Sequence, residues 1–443
     1  MSRVAERVVP LVIRGGHVVG PGGARRADVA IEAGVVVAIG DAIAVPAHAV
    51  VLDALGCLVA PGLVDLHAHL RQPGHEEAET VETAARGAAL GGFTAVVAMP
   101  NTDPPIDSAA VAQEVLALGA GQACEVLVAG AITIGRKGER LAPLRELAQL
   151  GVRLFTDDGA GVQDGALMRR ALEYGRGLGV TLAQHCEDAD LASGGHMHEG
   201  EWSSRLGLGG IPAAAEEAML ARDMALVRET GARMHFLHLS TRGSVALLAQ
   251  AKTEGLPVSA EVTPHHLALT HAEVSGYDPT FKVNPPLRCT EDTQALAQAL
   301  SAGIIDAIAT DHAPHPPEAK DLPFDQAAPG MLGLETALSV AVQALADRMS
   351  AEEVLIRLTA VPADIAKVSA AHRSAAQSQG GPLEVGAAAH VCVFDPGATW
   401  TVEPTRLASR SRNTPYAGRT LVGRVRHTVF GGRPVVIDAE AQC

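Results

Sequence analysis

The segment DLHAHLR carries His67 and His69 two residues apart at the end of an apolar run. If the run is a strand, alternation turns both imidazoles to one face, as a shared metal ion requires. A lone His-x-His could equally be two buried histidines satisfied by backbone groups. This one has company: His185 ends the run VTLAQHCED, His238 lies near the end of MHFLHLS, and Asp311 near the end of DAIATDHAPH. The set is imidazole and carboxylate without thiolate, which suits zinc, with manganese or cobalt as substitutes. Four imidazoles and a carboxylate exceed what one tetrahedral zinc with an open position takes, so two ions fit better. Two ions about 3.5 to 4 Å apart need an anionic bridge. The run VRLFTDDG offers Asp157 and Asp158 side by side. A surface turn is the alternative reading of that pair, because Asp and Gly are ordinary turn residues.

These residues need a scaffold that brings strand ends together. The apolar runs LVDLHAH, FTAVVAMPN, EVLVAGAIT, VRLFTDDG, VTLAQHCED, MHFLHLS, PVSAEVTPHH and DAIATDHAPH alternate with helical windows rich in Ala, Leu and Glu. Eight strand-helix alternations over about 250 to 300 residues predict an α/β chain folded as a (β/α)8 TIM barrel, with its chemistry at the C-terminal strand ends. From Val8 to Leu58, and again from PLEVG to VVID, short Val/Ile-rich runs and Gly turns predict antiparallel strands. Neither end has enough strand to bury a sheet face, so the two are expected to pair as a composite β-sandwich. The expected division is 1–59 and 371–443 for the two parts of the sandwich and 60–370 for the barrel. The polar patch SAAQSQGG reads as a connection.

Composition agrees. A hydrophobic fraction of 47% with only 3% aromatics favours α/β packing, and a net charge of -15 argues against nucleic-acid binding. Six cysteines without a C-x-x-C pair make a disulfide framework or thiolate zinc site improbable. The segment MSRVAERVVPLVIRGG has no continuous apolar stretch of the secretory kind, and no window offers about 18 uninterrupted apolar residues. The expectation is a cytoplasmic protein.

The ordered strings DLHAHLRQPG, MPNTDPP, FTDDG, HCED, MHEG, HLS, EVTPHH, NPPLR and ATDHAPH resemble the dihydroorotases of the bacterial class I type, within the amidohydrolase superfamily. The resemblance runs from about Leu63 to Glu335, and the flanking β segments suit the superfamily's composite domain. It implies that His67, His69 and Asp311 hold one zinc and that His185 and His238 hold a second. Many amidohydrolases bridge the metals with a carboxylated lysine, but no lysine stands in LFTDDG. Class I dihydroorotases are similar to this chain in using an aspartate, and spacing to HCED then assigns the bridge to Asp158, leaving Asp157 facing away. The implied reaction is the reversible cyclisation of N-carbamoyl-L-aspartate to dihydroorotate, the third step of de novo pyrimidine synthesis. In hydrolysis, a metal-activated hydroxide attacks the ring amide, while Asp311 takes the proton and returns it to the leaving nitrogen.

The substrate's carboxylate calls for a guanidinium, and Arg71 with Asn101 as helper is the choice. Resemblance adds Asn284, His315 and the backbone around Pro329 and Gly330. It also makes the 315–333 segment a lid, where composition alone would allow a disordered loop. The second His-x-His, His196 and His198, lies in a Gly-flanked loop and is expected to be structural. His265 and His266 are expected to pack, with Glu261 orienting ligands. His312 is expected to point away from the metals, and Cys186 to act as a small buried hydrophobe. Hydantoinases, dihydropyrimidinases and allantoinases are the nearest rivals, but they need the bridging lysine and no Arg71. A metal-free scaffold for aspartate carbamoyltransferase is a rival of another kind, yet all six ligands are in place. The expected partners are the small-molecule substrate, a second copy in a homodimer, and aspartate carbamoyltransferase; no nucleic acid and no membrane are expected.

Overall fold

The computed structural model describes residues 9–20 and 22–442; Val8, the expected start of the first β run, and Cys443 lie outside them. Eight parallel strands form the centre: Leu63–Ala68, Phe93–Ala98, Glu125–Val128, Leu154–Phe155, Thr181–Gln184, Met234–Phe236, Val258–Val262 and Ala307–Ile308. The first three pair with one another, and so do the last five. Backbone bonds join the two sets into a ring. Gly130 N–H donates to Leu154 O at 3.0 Å and Thr156 N–H to Gly130 O at 2.9 Å, while His69 N–H donates to His312 O at 2.8 Å. Thr310 N–H adds a 2.9 Å bond to Asp65, tying the eighth strand to the first. The ring is therefore a closed (β/α)8 barrel, as the eight runs predict.

Alternation along these strands sorts side chains between two cores. Leu63, Phe93, Val96, Val126, Phe155, Leu182, Phe236 and Ile308 pack with the surrounding helices. Val64, Leu66, Ala95, Val97, Leu154, Ala183, Leu237, Ala307 and Ala309 fill the barrel itself. Residues one or two steps beyond this inner layer, at the C-terminal ends, are the ones aimed at the mouth.

Apart from the short pair Met197–His198 and Gly210–Ile211, the remaining strands make one sheet from both ends of the chain. Leu58–Pro61 pairs antiparallel with Val391–Thr401 on one side and parallel with Leu11–Gly20 on the other. Gly23–Glu32 and Val35–Gly40 extend the sheet one way, Thr420–Phe430, Arg433–Ile437 and Glu440–Ala441 the other. The sheet folds over a shared core in which Val29, Ile31 and Val36 meet Val391, Val393 and Val429. A turn at Gly431 and Gly432 makes the expected hairpin. The polar connection is less loose than its composition suggests: Gln379 is 1% exposed, accepts from the Thr94 hydroxyl at 2.8 Å and donates to Glu125 at 3.0 Å. Among the described residues, no helix is long and apolar enough to cross a membrane.

Candidate functional site

Asp158 lies at the centre of the barrel mouth. Leu154 belongs to the inner core, so alternation carries Thr156 and Asp158 to the same side. Its two oxygens face different pairs of rings. Oδ2 lies 3.4 Å from His67 Nε2 and 3.6 Å from His69 Nε2. Oδ1 lies 3.6 Å from His238 Nε2 and 3.7 Å from His185 Nδ1. Asp311 closes the first group, its Oδ1 at 3.0 Å from His69 Nε2 and 3.5 Å from His67 Nε2.

Strand geometry places each ligand. Val64 and Leu66 face the barrel interior, and a register shift between Asp65 and Ala68 then turns the chain, so that Ala68 joins the helix layer while His67 and His69 face the mouth. His185 follows Ala183 and Asp311 follows Ala309, each two residues above an inner-core side chain. His238 follows inward-facing Leu237 directly and reaches the same side through a left-handed backbone, φ 30°. Asp311 and Arg71 share that unusual region, with φ 46° and 62°.

The set fits metal ions. Atoms bound about 2.1 Å from a tetrahedral ion stand about 3.4 Å from one another, and the spacings here cluster around that value. His67, His69 and Asp158 form one group able to hold an ion, and Asp158, His185 and His238 form another. His67 Nε2 and Asp158 Oδ1 are buried with no hydrogen-bond partner, as expected of atoms whose partner is a metal. Burial opposes charge on Asp158, but the His67 charge and the close approach of the His185 and His238 rings hold its carboxyl well below the usual range. Burial likewise opposes charge on His67, while Asp158 and Asp311 hold its pKa well above that of an ordinary imidazole. Two buried carboxylates thus favour cations at this point.

Below the ligands lies a second polar layer. Glu261 Oε1 is 2.8 Å from His67 Nδ1, and its Oε2 is 3.0 Å from His235 Nε2. His235 in turn reaches Ser259 Oγ at 2.8 Å. Asp157 faces away from the metal ligands, yet it is no surface turn. It is 1% exposed, and it accepts from Ile132 N–H at 2.8 Å, from Thr133 N–H at 3.0 Å and from the Thr133 hydroxyl. It ties the end of the third strand to the fourth.

Of the residues expected to bind substrate, Arg71, His315, Pro329 and Gly330 meet at one point of the mouth, while Asn101 and Asn284 lie against His69 and His185. Arg71 Nε donates to Pro314 O at 3.0 Å, and Nη2 lies 3.3 Å from His315 Nε2. Burial pulls the Arg71 pKa down to about 10, which leaves it charged at neutral pH. His315 Nε2 also lies 2.8 Å from Pro329 O, and a side chain at Gly330, φ 148°, would meet that imidazole at 2.7 Å. Asn101 Oδ1 contacts His69 Nδ1 at 2.9 Å, so Asn101 is placed to orient a ligand. Asn284 Nδ2 is 3.5 Å from His185 and 3.3 Å from Glu187, and its Oδ1 is buried without a partner. The 315–333 loop contains the helix Pro317–Lys320 and buries Phe324, Ala327 and Met331, so it is packed, in contrast to a disordered segment.

The other histidines take separate duties. His266 bonds Thr263 at 2.8 Å and Pro285 O at 3.0 Å. His312 points away, to Glu79 at 3.3 Å, and accepts from Gly333 N–H at 3.1 Å. His198 accepts from Arg288 at 3.2 Å. Cys186 is buried, which pushes its thiol pKa well up. Sequence reading did not single out Glu79, His235 or Asn413. Glu79 sits in the acid-rich HEEAE stretch with nothing to distinguish it, whereas His235, inside an apolar strand, carried a usable signal of burial.

Comparison with known proteins agrees with this geometry. Residues 56–244 match the family model described as Dihydro-orotase-like. The chain is 49% identical over 437 residues to the dihydroorotase of Anaeromyxobacter dehalogenans, covering 97% of this chain and 99% of that one. Dihydroorotases of Pelotomaculum thermopropionicum and Mycobacterium tuberculosis are each 46% identical, with 97% and 99% covered. Among solved structures, the L-hydantoinase of Arthrobacter aurescens superposes with a TM-score of 0.86 at 24% identity, covering 98% of this chain and 97% of that one. That likeness speaks for the fold, a barrel with a composite β-sandwich. With close to half its residues shared across nearly the full length of several dihydroorotases, and with a ligand set arranged for metal at its barrel mouth, the chain belongs to the dihydroorotase family.

Proposed function

We infer that the protein interconverts N-carbamoyl-L-aspartate and (S)-dihydroorotate, the ring-closing third step of pyrimidine synthesis. The observation that carries this reading is the partly buried guanidinium of Arg71 beside a ligand set centred on Asp158. A carboxylate-bearing cyclic amide needs both. In this reading His67, His69 and Asp311 would hold one zinc and His185 and His238 a second, with Asp158 between the two groups. Bound there, zinc supplies Lewis acidity toward the amide carbonyl and an activated water near neutral pH.

The chain's own groups do the rest. Arg71 pairs with the substrate carboxylate, assisted by Asn284, His315 and the backbone of Pro329 and Gly330. Asn101 and Glu261 hold His69 and His67 in the ligating orientation. Burial opposes charge on Asp311, but the His67 charge and the His69 hydrogen bond keep its carboxylate ionised. It can therefore accept the proton from the attacking water and deliver it to the departing ring nitrogen. In the direction of synthesis it takes that proton from the ureido nitrogen instead. The 315–333 loop covers the site from the strand-eight side.

The same proposal divides the chain into a barrel over 60–370 and a β-sandwich from 1–59 and 371–443. It places the protein in the cytoplasm as a homodimer, in association with aspartate carbamoyltransferase; gel filtration and co-purification check the last two points. Steady-state assays on dihydroorotate, hydantoin, dihydrouracil and allantoin test the activity, with metal analysis alongside. The expected result is strong preference for dihydroorotate with two zincs per chain, and loss of that preference in Arg71→Met. Preference for a substrate without a carboxylate, or a folded protein that takes up no metal, would overturn the reading.

A further inference from the structure

The segment 408–413 precedes the long C-terminal strand Thr420–Phe430 and bonds to the segments that follow the first and eighth barrel strands. Ala408 N–H donates to Glu335 at 2.8 Å, and Arg410 N–H donates to Glu79 at 3.2 Å. The Ser409 hydroxyl donates to the other oxygen of Glu79, and the Ser411 hydroxyl donates to Ala78 O at 2.7 Å. Asn413 completes the segment and is 7% exposed. Its Nδ2 donates to Ala313 O at 2.9 Å and to Gly330 O at 3.1 Å, and its Oδ1 accepts from His315 N–H at 3.2 Å. Its own carbonyl accepts from Leu332 N–H at 3.1 Å.

Those four bonds hold both ends of the 315–333 loop to one side chain and its backbone. They fix the peptide from which His315 projects and the carbonyl of Gly330. Arg71 is built onto the same frame, through Pro314 O and the His315 ring. The residue type is specific. Two donations to carbonyls and one acceptance from an N–H use the full donor set of a primary amide. A carboxylate of the same shape would set negative charge against two carbonyl oxygens.

We propose that Asn413 is a positioning residue for recognition of the substrate carboxylate, setting the spacing of Arg71, His315 and Gly330 from the C-terminal β unit. The proposal rests on the dihydroorotase reading above. Asn413 acts through the loop and not on the ligand set, so binding of the carboxylate should suffer while metal content and turnover at saturation persist.

The test uses full-length, zinc-loaded Asn413→Ala and Asn413→Asp, assayed in both directions. The expected result is a KM increase of about tenfold for Ala, the scale of one or two lost hydrogen bonds, and a larger one for Asp, with kcat within about twofold. In an Arg71→Met background the Asn413→Ala effect should shrink to near nothing, because both residues serve one contact. Unchanged KM, a fall in kcat alone, loss of zinc, or full additivity with Arg71→Met would each overturn the proposal. If Asn413→Ala is insoluble, Asn413→Ser keeps one donor and carries the same test. A wild-type enzyme inactive on dihydroorotate would instead overturn the activity reading on which the proposal rests.

Discussion

Glu261→Gln changes one atom in a fully buried layer beneath the proposed metals, and its effect can be worked from the geometry. Burial alone would raise the Glu261 carboxyl, but hydrogen bonds from His235 and His67 hold it down at about 2. Ionised, it can only accept. It therefore accepts the proton of His67 Nδ1, 2.8 Å away, so that with a metal bound the Nε2 lone pair would be the one to face it, between Asp158 and Asp311. Glutamine keeps the shape and replaces an acceptor by a donor. If the amide nitrogen faces His67, Nδ1 must accept, the proton moves to Nε2, and the ligand is closed. If the nitrogen faces His235, that ring can turn its Nδ1 proton toward Ser259, 2.8 Å away, and His67 keeps an uncharged acceptor. The second arrangement costs less, so it sets the lower limit. Losing a partner of this kind typically lowers metal affinity about 10- to 100-fold, or about 1.4 to 2.7 kcal/mol. Zinc titration of metal-free protein against a chromophoric chelator reads this directly. The expected outcome is one site weakened within that range and the other unchanged within about threefold. Two sites of wild-type affinity, or the loss of both, would refute the reasoning.

Asp158→Asn presents its single oxygen to only one pair of histidines, so zinc content should fall to about one per chain and activity with it; retention of two zincs would refute the bridge. Asp157→Asn should keep both zincs but lower the melting temperature, at a cost of about 1 to 3 kcal/mol for the disturbed bonds to Ile132 and Thr133. Metal loss in Asp157→Asn with both zincs kept in Asp158→Asn would mean that the aspartates had been assigned the wrong way round, and equal loss that the geometry is wrong. Glu335 gives a pH prediction. Burial pushes its carboxyl up to about 8, the charge of Glu79 adding to this, against the Ala408 N–H bond and the charges of Arg412 and Arg424. The folded chain then holds a proton that the unfolded chain releases near 4.5, so stability falls as pH rises from about 4.5 to about 8 and levels off above. Melting curves of Glu335→Gln should lack this slope, and a wild-type-minus-variant difference constant across that window would refute it.

Much of the site is legible because strand periodicity is local. The alternation that puts Leu154, Thr156 and Asp158 on one side is a property of the extended backbone, so once the resemblance had pointed to an aspartate in this run, spacing separated the two neighbours. The same holds for His185 above Ala183 and Asp311 above Ala309. The eight runs and their helical spacers likewise determined a barrel, since each run is too short to bury itself alone. The residue types determined the chemistry: four imidazoles and two carboxylates without a thiolate suit zinc, and one arginine among them suits an anion.

Other features exist only once the ring has closed. His67 and His69 reach the mouth because the first strand shifts register against the second, and His238 because its own backbone turns left-handed. Neither event leaves a periodic trace. Glu261 and His235 come from adjacent strands and meet below the ligands only when those strands pair. Glu79 and Asn413 bond to segments that lie far off along the chain, Ser409 and Ala313, where no local pattern can report a contact. The sequence by itself determined which atoms are available for catalysis and on which strands they stand. Tertiary structure decided their distances, the contact by which Glu261 holds His67 and the frame that holds Arg71, because each depends on free energy gained between groups that share no turn of chain.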